Sequence, residues 1–473
     1  VVFSSIPFIF IFLPVFLIIY YLIPNKSWRH FALLFGSLFF IFWADPSNLL
    51  LIIAISLIDY LLGYLIFLTT TSSTQNRISK YFLIIGISIN LINLVFYKYS
   101  NFLISTFFRL FSENIEIPVR ALPLGISFFS FTGIAYLIDV YNQPIAAEKD
   151  PKAFFSFLLM FPKLVLGPIT RYQEVEYTLT NKWFENEKLG LGIERFVAGL
   201  GKKVILADNL SIITEKVFGS QVASLSPAVS WFGLISYALQ IFFDFSGYTD
   251  MAIGLGLILG IKLPENFAFP YSAKSITEFW RRWHMTLSFW FRTYIFIPLE
   301  FRWRKLGKAR QPLVIMIVFL ITGLWHGAGW NFILWGGYFG LFLSFESLGL
   351  GRWLKKIPAF FQHFYTLLVV SLGWVLFRIS DSSNWLPFYK SLLGINISTN
   401  IVTLRSLNVL LYIPLLIISI LFATPIMDKL NIFIHQKKLL GKAIIFVYYL
   451  GVFILSISYI LSNGYVSFLY SQF

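Results

Sequence analysis

The sequence predicts an all-α polytopic membrane protein of about eleven transmembrane helices, with interfacial or re-entrant helices between them. Three observations carry that reading. Of 473 residues, 58% are hydrophobic and 12% charged, about half the charged content of a globular domain. Runs of roughly 20 apolar residues, long enough to cross a hydrocarbon core of about 30 Å, recur from one end of the chain to the other. The segments between them combine Lys and Arg with Trp, Tyr and Phe, the composition of helices that lie in a membrane surface.

Windows of about 19 residues place spans near 3–23, 31–45, 47–69, 81–97, 121–141, 153–169, 204–218, 229–261, 312–346, 361–379, 408–425 and 442–462. The run at 3–23 has no basic leader before it and no small-residue cleavage site after it, so a retained helix is expected. The stretch 229–261 holds either one long tilted helix or two, and 312–346 is open to a break at Gly327 and Gly329. Segments 172–203, with Lys182, Lys188, Arg195, Lys202 and Lys203, and 262–311 are expected to be cytoplasmic or interfacial amphipathic pieces. Lys437, Lys438 and Lys442 precede the last span and no charge follows Lys442. By the positive-inside rule the C-terminus faces away from the cytoplasm. No repeat of fixed period is apparent, and a single membrane domain over 1–473 is the economical organisation.

The formal net charge of +15, from 37 Lys and Arg against 22 Asp and Glu, is what cytoplasmic loops of a polytopic chain collect. It therefore does not call for nucleic acid as a partner. The chain has no cysteine, which removes disulfides, thiolate metal sites and a cysteine-bound acyl intermediate. Any covalent intermediate must use oxygen or nitrogen.

Ionisable residues inside apolar segments are costly and mark functional candidates. His326 is the sharpest, set among Thr322, Gly323, Trp325, Gly327, Gly329 and Trp330. It reads either as a hydrogen bonder between helices or as a base, since neutral imidazole can accept a hydroxyl proton and return it to a leaving thiolate. His284 lies in a run with Trp280, Arg281, Arg282 and Arg292; as a helix this run sets Trp280 and His284 on one face. The same run also fits a membrane-surface anchor. Asp244, Tyr248 and Asp250 drop polar groups into a hydrophobic stretch. The six-residue separation of the carboxylates keeps them off one helical face, so helix breaking, capping or lining of a polar cavity is expected of them. With five histidines, none four apart, a catalytic metal has little support.

At these residues the sequence resembles the membrane-bound O-acyltransferase family, in its bacterial branch that modifies cell-surface polymers: alginate O-acetylases, peptidoglycan O-acetyltransferases and the teichoic acid D-alanylation transferase. Four blocks carry the resemblance, at 122–141, 161–168, 244–292 and 322–330, within a core of about 122–346. The family's signature histidine falls on His326, and its second active-site position, a histidine in this branch, on His284. The resemblance implies a ring of helices around a central funnel in the bacterial cytoplasmic (inner) membrane. It also implies a cytoplasmic acyl thioester donor, acetyl-CoA or another, and an extracytoplasmic acyltransferase-like partner protein. Lys163, Arg171, Arg281, Arg282 and Trp325 are the expected donor-binding residues. The C-terminal stretch 468–473 resembles an aromatic motif of this branch. In it Tyr470 is either an interfacial anchor or a phenol that relays the acyl group. A second class of function stays open on the residues alone: a transporter or flippase of a lipid-linked saccharide, in which the same side chains relay protons or bind sugar. The acceptor polymer is not legible.

Overall fold

Inside hydrocarbon every backbone N–H and C=O must be paired within the protein, and an α-helix does this within one segment. The computed structural model describes residues 3–70, 77–109, 111, 121–181, 186–395, 401–426, 429, 434 and 438–463. Tyr470 and the motif at 468–473 lie outside the described residues. Among the described residues the chain is helical, and β pairing is confined to one bridge between Leu225 and Val402. Among the described residues eight helices are long and apolar enough to span: Lys26–Ala44, Pro46–Thr69, Arg77–Phe108, Pro227–Ile258, Arg304–His326, Trp330–Leu354, Ala359–Arg378 and Leu440–Ser462. Shorter apolar helices run over Phe8–Leu22 and Leu410–Phe422.

Three further expected spans are not among the helices long and apolar enough to cross. The run at 121–141 is the 17-residue helix Ile126–Asn142, buried on nearly every side. The run at 153–169 is a nine-residue helix, Pro151–Leu159, followed by a single turn, Phe161–Leu164. The run at 204–218 joins a helical stretch, Lys202–Ala207, to the helix Asp208–Phe218. Their apolar residues meet protein: Phe154, Phe157 and Leu159 are fully buried, and composition does not distinguish a protein-facing helix from a lipid-facing one. The stretch 229–261 is one 32-residue helix, Pro227–Ile258, unbroken at Asp244 or Asp250.

By internal contacts the chain forms two units, Val1–Phe196 with Thr249–Pro264, and Val197–Tyr248 with Glu265–Phe473. In the first, Phe161 sits among the rings of Phe3, Phe8, Phe12, Phe16 and Phe40 at centroid distances of 5.1–6.3 Å. Aromatic clustering of this kind supplies dispersion contacts where lipid removes most of the hydrophobic drive. Helices Leu49–Thr69 and Arg77–Leu94 are joined by a buried bond from the Asn90 amide to Asp59 Oδ1 at 2.8 Å.

In the second unit, Arg310–His326 and Trp330–Phe345 form a tight helical hairpin. A methyl group at Gly323 would lie 2.2 Å from the Phe332 carbonyl oxygen, and one at Gly336 2.2 Å from that of Phe319. Only glycine permits this approach, as in small-residue packing of membrane helices generally. The break expected at Gly327 and Gly329 is present, with both residues extended between the two helices. Here the lack of a side chain at Gly327 makes room for the Phe332 ring.

Candidate active site

The site is built from two helix ends. Ser275 caps the helix Ile276–Arg282 by accepting from the Glu278 N–H at 3.0 Å, while Glu278 accepts from the Lys274 N–H at 2.8 Å. This resembles the reciprocal Ser-x-x-Glu cap. The Glu346 carboxylate reaches the same end, accepting from the N–H groups of Ile276 at 2.7 Å and Thr277 at 2.9 Å and from the Thr277 hydroxyl at 2.6 Å. A buried carboxylate there pairs donors that have no partner inside the helix and suits the helix dipole.

That helix does not continue to His284. Trp283 is extended and His284 adopts the left-handed conformation at φ 44°, ψ 56°, just before the helix Met285–Phe291. Trp280 and His284 therefore do not share a helical face, which corrects the expectation from spacing. The His284 ring is buried, edge-on to Phe245 at 4.7 Å, with Nδ1 3.1 Å from Asn266 Oδ1. Burial pushes its pKa from the usual histidine value to about 3, so the imidazole is neutral at pH 7.

His326 ends the helix Arg310–His326 and is equally buried. Trp335 and Phe377 pack edge-on against its ring at 4.9 and 5.4 Å. Trp325 touches both histidine rings, 6.0 Å from His284 and 5.0 Å from His326. A cavity of about 1140 Å³ is lined by both histidines, with Trp280 and Thr322. Its wall also carries Lys274, Arg281, Arg292, Arg352 and Lys355, against the carboxylates of Glu278 and Glu346. Glu346 is occupied by the helix end, and Glu278 also pairs with Arg282 at 2.6 Å. The cavity thus presents cations and two imidazole rings to whatever enters it.

Of the residues singled out in the sequence, His284, His326 and Arg281 meet at this cavity, and Trp325 bridges the histidines. Arg282 is engaged with Glu278 and with Ser272 Oγ at 3.1 Å. Asp244 is held by Lys203 Nζ at 2.7 Å, and Lys203 also binds Asp208 at 2.7 Å. Asp250 pairs with Arg195 at 2.7 Å, and Tyr248 is buried on the same helix. Lys163 and Arg171 belong to the first unit. Lys163 is buried with Nζ 3.9 Å above the Phe157 ring, and burial lowers its pKa to about 7. Arg171 pairs with Glu174 at 3.3 Å. Lys274, Arg352, Lys355 and Asn266 are contributions that the sequence reading did not single out. Arg352 and Lys355 do stand out as basic residues at the end of the span Trp330–Leu354, but Lys and Arg at span ends are too common a signal to single them out. Among the described residues no group of three or more His, Asp or Glu side chains could hold a metal ion.

Comparison with known proteins gives a match of residues 31–380 to the model of MBOAT, the membrane-bound O-acyltransferase family. The chain is 36% identical over 387 residues to a probable alginate O-acetylase of Pseudomonas putida, covering 80% of this chain and 78% of that protein. It is 34% identical over 427 residues to a peptidoglycan O-acetyltransferase of Helicobacter pylori, covering 82% and 79%. A teichoic acid D-alanyltransferase of Bacillus subtilis is 31% identical over 250 residues, covering 49% of this chain and 60% of that protein.

Proposed function

Because the chain belongs to the membrane-bound O-acyltransferase family, we propose that it moves an acetyl group from a cytoplasmic thioester, acetyl-CoA, toward hydroxyls of a cell-surface polysaccharide. It is a multi-pass membrane O-acyltransferase, and the competing view of a carrier without transferase chemistry falls with that membership. The names of its relatives supply the acceptor class, as alginate and peptidoglycan are both polymers outside the cytoplasmic membrane. The single observation that carries the donor assignment is the cavity, which puts two histidines at one site with five basic side chains. Phosphate groups of a nucleotide thioester are matched by such cations, and arginine binds them in a bidentate manner.

In the proposed reaction His326 takes the proton of the acceptor hydroxyl as its oxygen attacks the thioester carbonyl. The tetrahedral intermediate then collapses, the C–S bond breaks and the departing thiolate recovers the proton from His326. His284 holds the reacting groups across the cavity, and Arg281, Arg292, Arg352 and Lys355 hold the donor. Arg282 stays as a secondary candidate for donor contact, beside the cavity on the helix that carries Arg281. Asp244, Tyr248 and Asp250 are candidates for the polar interior. The proposed location is the bacterial inner membrane, with the C-terminus outside and an extracytoplasmic acyltransferase-like partner completing transfer to the polymer. Tyr470 is proposed as the hydroxyl that attacks in that step: its phenol, deprotonated by His326, takes the acyl group as an ester, and the partner passes it on to the polymer. The test is transfer of labelled acetyl from acetyl-CoA by the purified protein, alone and with its partner. Uptake of label in neither case would contradict the reading.

A further inference from the structure

The conformation of His284 is held from outside its own helix. Asn266 is fully buried. Its carbonyl accepts the Met285 N–H at 2.9 Å, and the neighbouring Ala268 N–H donates to the Arg282 carbonyl at 3.0 Å. The 266–268 strand of backbone is thereby stitched across the break where His284 sits in the left-handed region, a conformation that a β-substituted residue seldom adopts without such support.

The side chain of Asn266 adds a chemical constraint. Its Oδ1 accepts the Thr286 backbone N–H at 3.2 Å and the Thr286 hydroxyl at 2.9 Å, and lies 3.1 Å from His284 Nδ1. A backbone N–H can only donate, so the amide atom turned toward it is the oxygen and not the nitrogen. An amide oxygen carries no hydrogen and cannot donate to Nδ1, so Nδ1 carries the proton. The amide nitrogen of Asn266 meets no acceptor among the described residues, so the contribution of this side chain lies in its oxygen. A neutral imidazole has one N–H, and here it is committed to Asn266. The lone pair is therefore on Nε2. Polarising a thioester carbonyl requires a hydrogen-bond donor, which this tautomer does not offer at Nε2, whereas a hydroxyl or thiol can donate to it.

We propose that Asn266 is a positioning residue of the transfer site: by accepting the Nδ1–H of His284 it fixes the ring with its lone pair on Nε2, so that His284 receives a hydrogen bond from the reacting groups instead of giving one. This rests on the reading of the cavity as the acyl-transfer site and deepens it by stating which way the hydrogen bond of His284 runs.

The experiment uses the full-length purified protein labelled with ¹⁵N-histidine, in which ring nitrogen shifts separate protonated from unprotonated nitrogen. The His284 signals are identified by their loss in His284→Ala. The expected spectrum shows Nδ1–H with unprotonated Nε2. In Asn266→Leu the Nε2–H form appears and turnover falls about 10-fold to 100-fold, the usual loss when a group that orients a histidine is removed. Asn266→Asp keeps an acceptor oxygen, retains the Nδ1–H form and recovers most of that turnover. Adding Asn266→Leu to His284→Ala costs nothing further, because the one acts through the other. An Nε2–H ring in the parent protein overturns the proposal, as does full turnover in folded Asn266→Leu or an Asn266→Asp variant as impaired as the leucine one. If Asn266→Leu does not fold, the parent spectrum and Asn266→Asp still decide. Full turnover in His284→Ala would instead sink the reading of the site, leaving the tautomer assignment to stand or fall on its own spectrum.

Discussion

Glu346 offers a quantitative test of how the site is supported. Its carboxylate accepts two backbone N–H groups and one hydroxyl at the start of the helix Ile276–Arg282, and the Tyr365 hydroxyl lies 3.3 Å from it. Glu346→Leu removes every acceptor and leaves the Ile276 and Thr277 donors at a helix end where Ile276 is buried and Thr277 half-buried. Each buried donor left unpaired costs about 1–3 kcal/mol, and loss of a charge that suits the helix dipole adds about 0.3–1 kcal/mol. The expected destabilisation is about 3–5 kcal/mol after partial relaxation toward water in the cavity. Glu346→Gln keeps one acceptor oxygen and is expected to lose about half as much. The assay is thermal unfolding of the purified protein in detergent, run beside acetyl transfer at equal folded protein. Since this helix carries Arg281 and leads into His284, turnover is expected to fall more than the folded fraction does. A Glu346→Leu variant within about 0.5 kcal/mol of the parent, with normal turnover, would refute the claim that this carboxylate fixes the helix end.

Lys203→Met is expected to destabilise by about 3–5 kcal/mol, because it removes the cation that binds the buried Asp244 and the half-buried Asp208; Lys203→Met with Asp244→Leu should recover much of the loss, read by the same unfolding assay. Arg352→Ala with Lys355→Ala is expected to raise KM for the thioester roughly fivefold to tenfold with little change in kcat, and high salt should shrink the difference, since both cations lie at an exposed edge of the cavity. Tyr470→Phe is expected to abolish polymer acetylation with the partner present while leaving the aromatic ring in place; full activity would leave the anchor reading standing.

How much of this was legible in the sequence follows from what each signal physically reports. The long spans were readable because a helix that crosses lipid must be apolar over most of its length, as Pro46–Thr69 and Leu440–Ser462 are. The same criterion misread Pro151–Leu159, where Phe154 and Phe157 are apolar because they face protein. The two histidines stood out because an imidazole among apolar residues is rare enough to ask for a cause. Their surroundings were only half visible. Arg281 and Arg292 lie near His284 in sequence, whereas Arg352 and Lys355 reach the cavity through the chain's return after Trp330–Phe345. The partners of Asp244 and Asp250 were invisible for a similar reason: Lys203 is 41 residues upstream of Asp244 and Arg195 is 55 upstream of Asp250. No local pattern joins residues so far apart. Asn266 carries no charge and no motif, and only the geometry at Oδ1 shows what it does.

The central claim is that His326 is the base for acyl transfer, and the most direct measurement is the rate of labelled acetyl transfer by His326→Ala, purified and shown to be folded. The ring is packed by Trp325, Trp335 and Phe377, so a His326→Phe variant, which keeps most of the packing volume, is measured beside it. The account predicts that both variants lose about 10²-fold to 10⁴-fold in rate at unchanged donor affinity, as expected for removal of a general base. Parent-level transfer by either folded variant would contradict it.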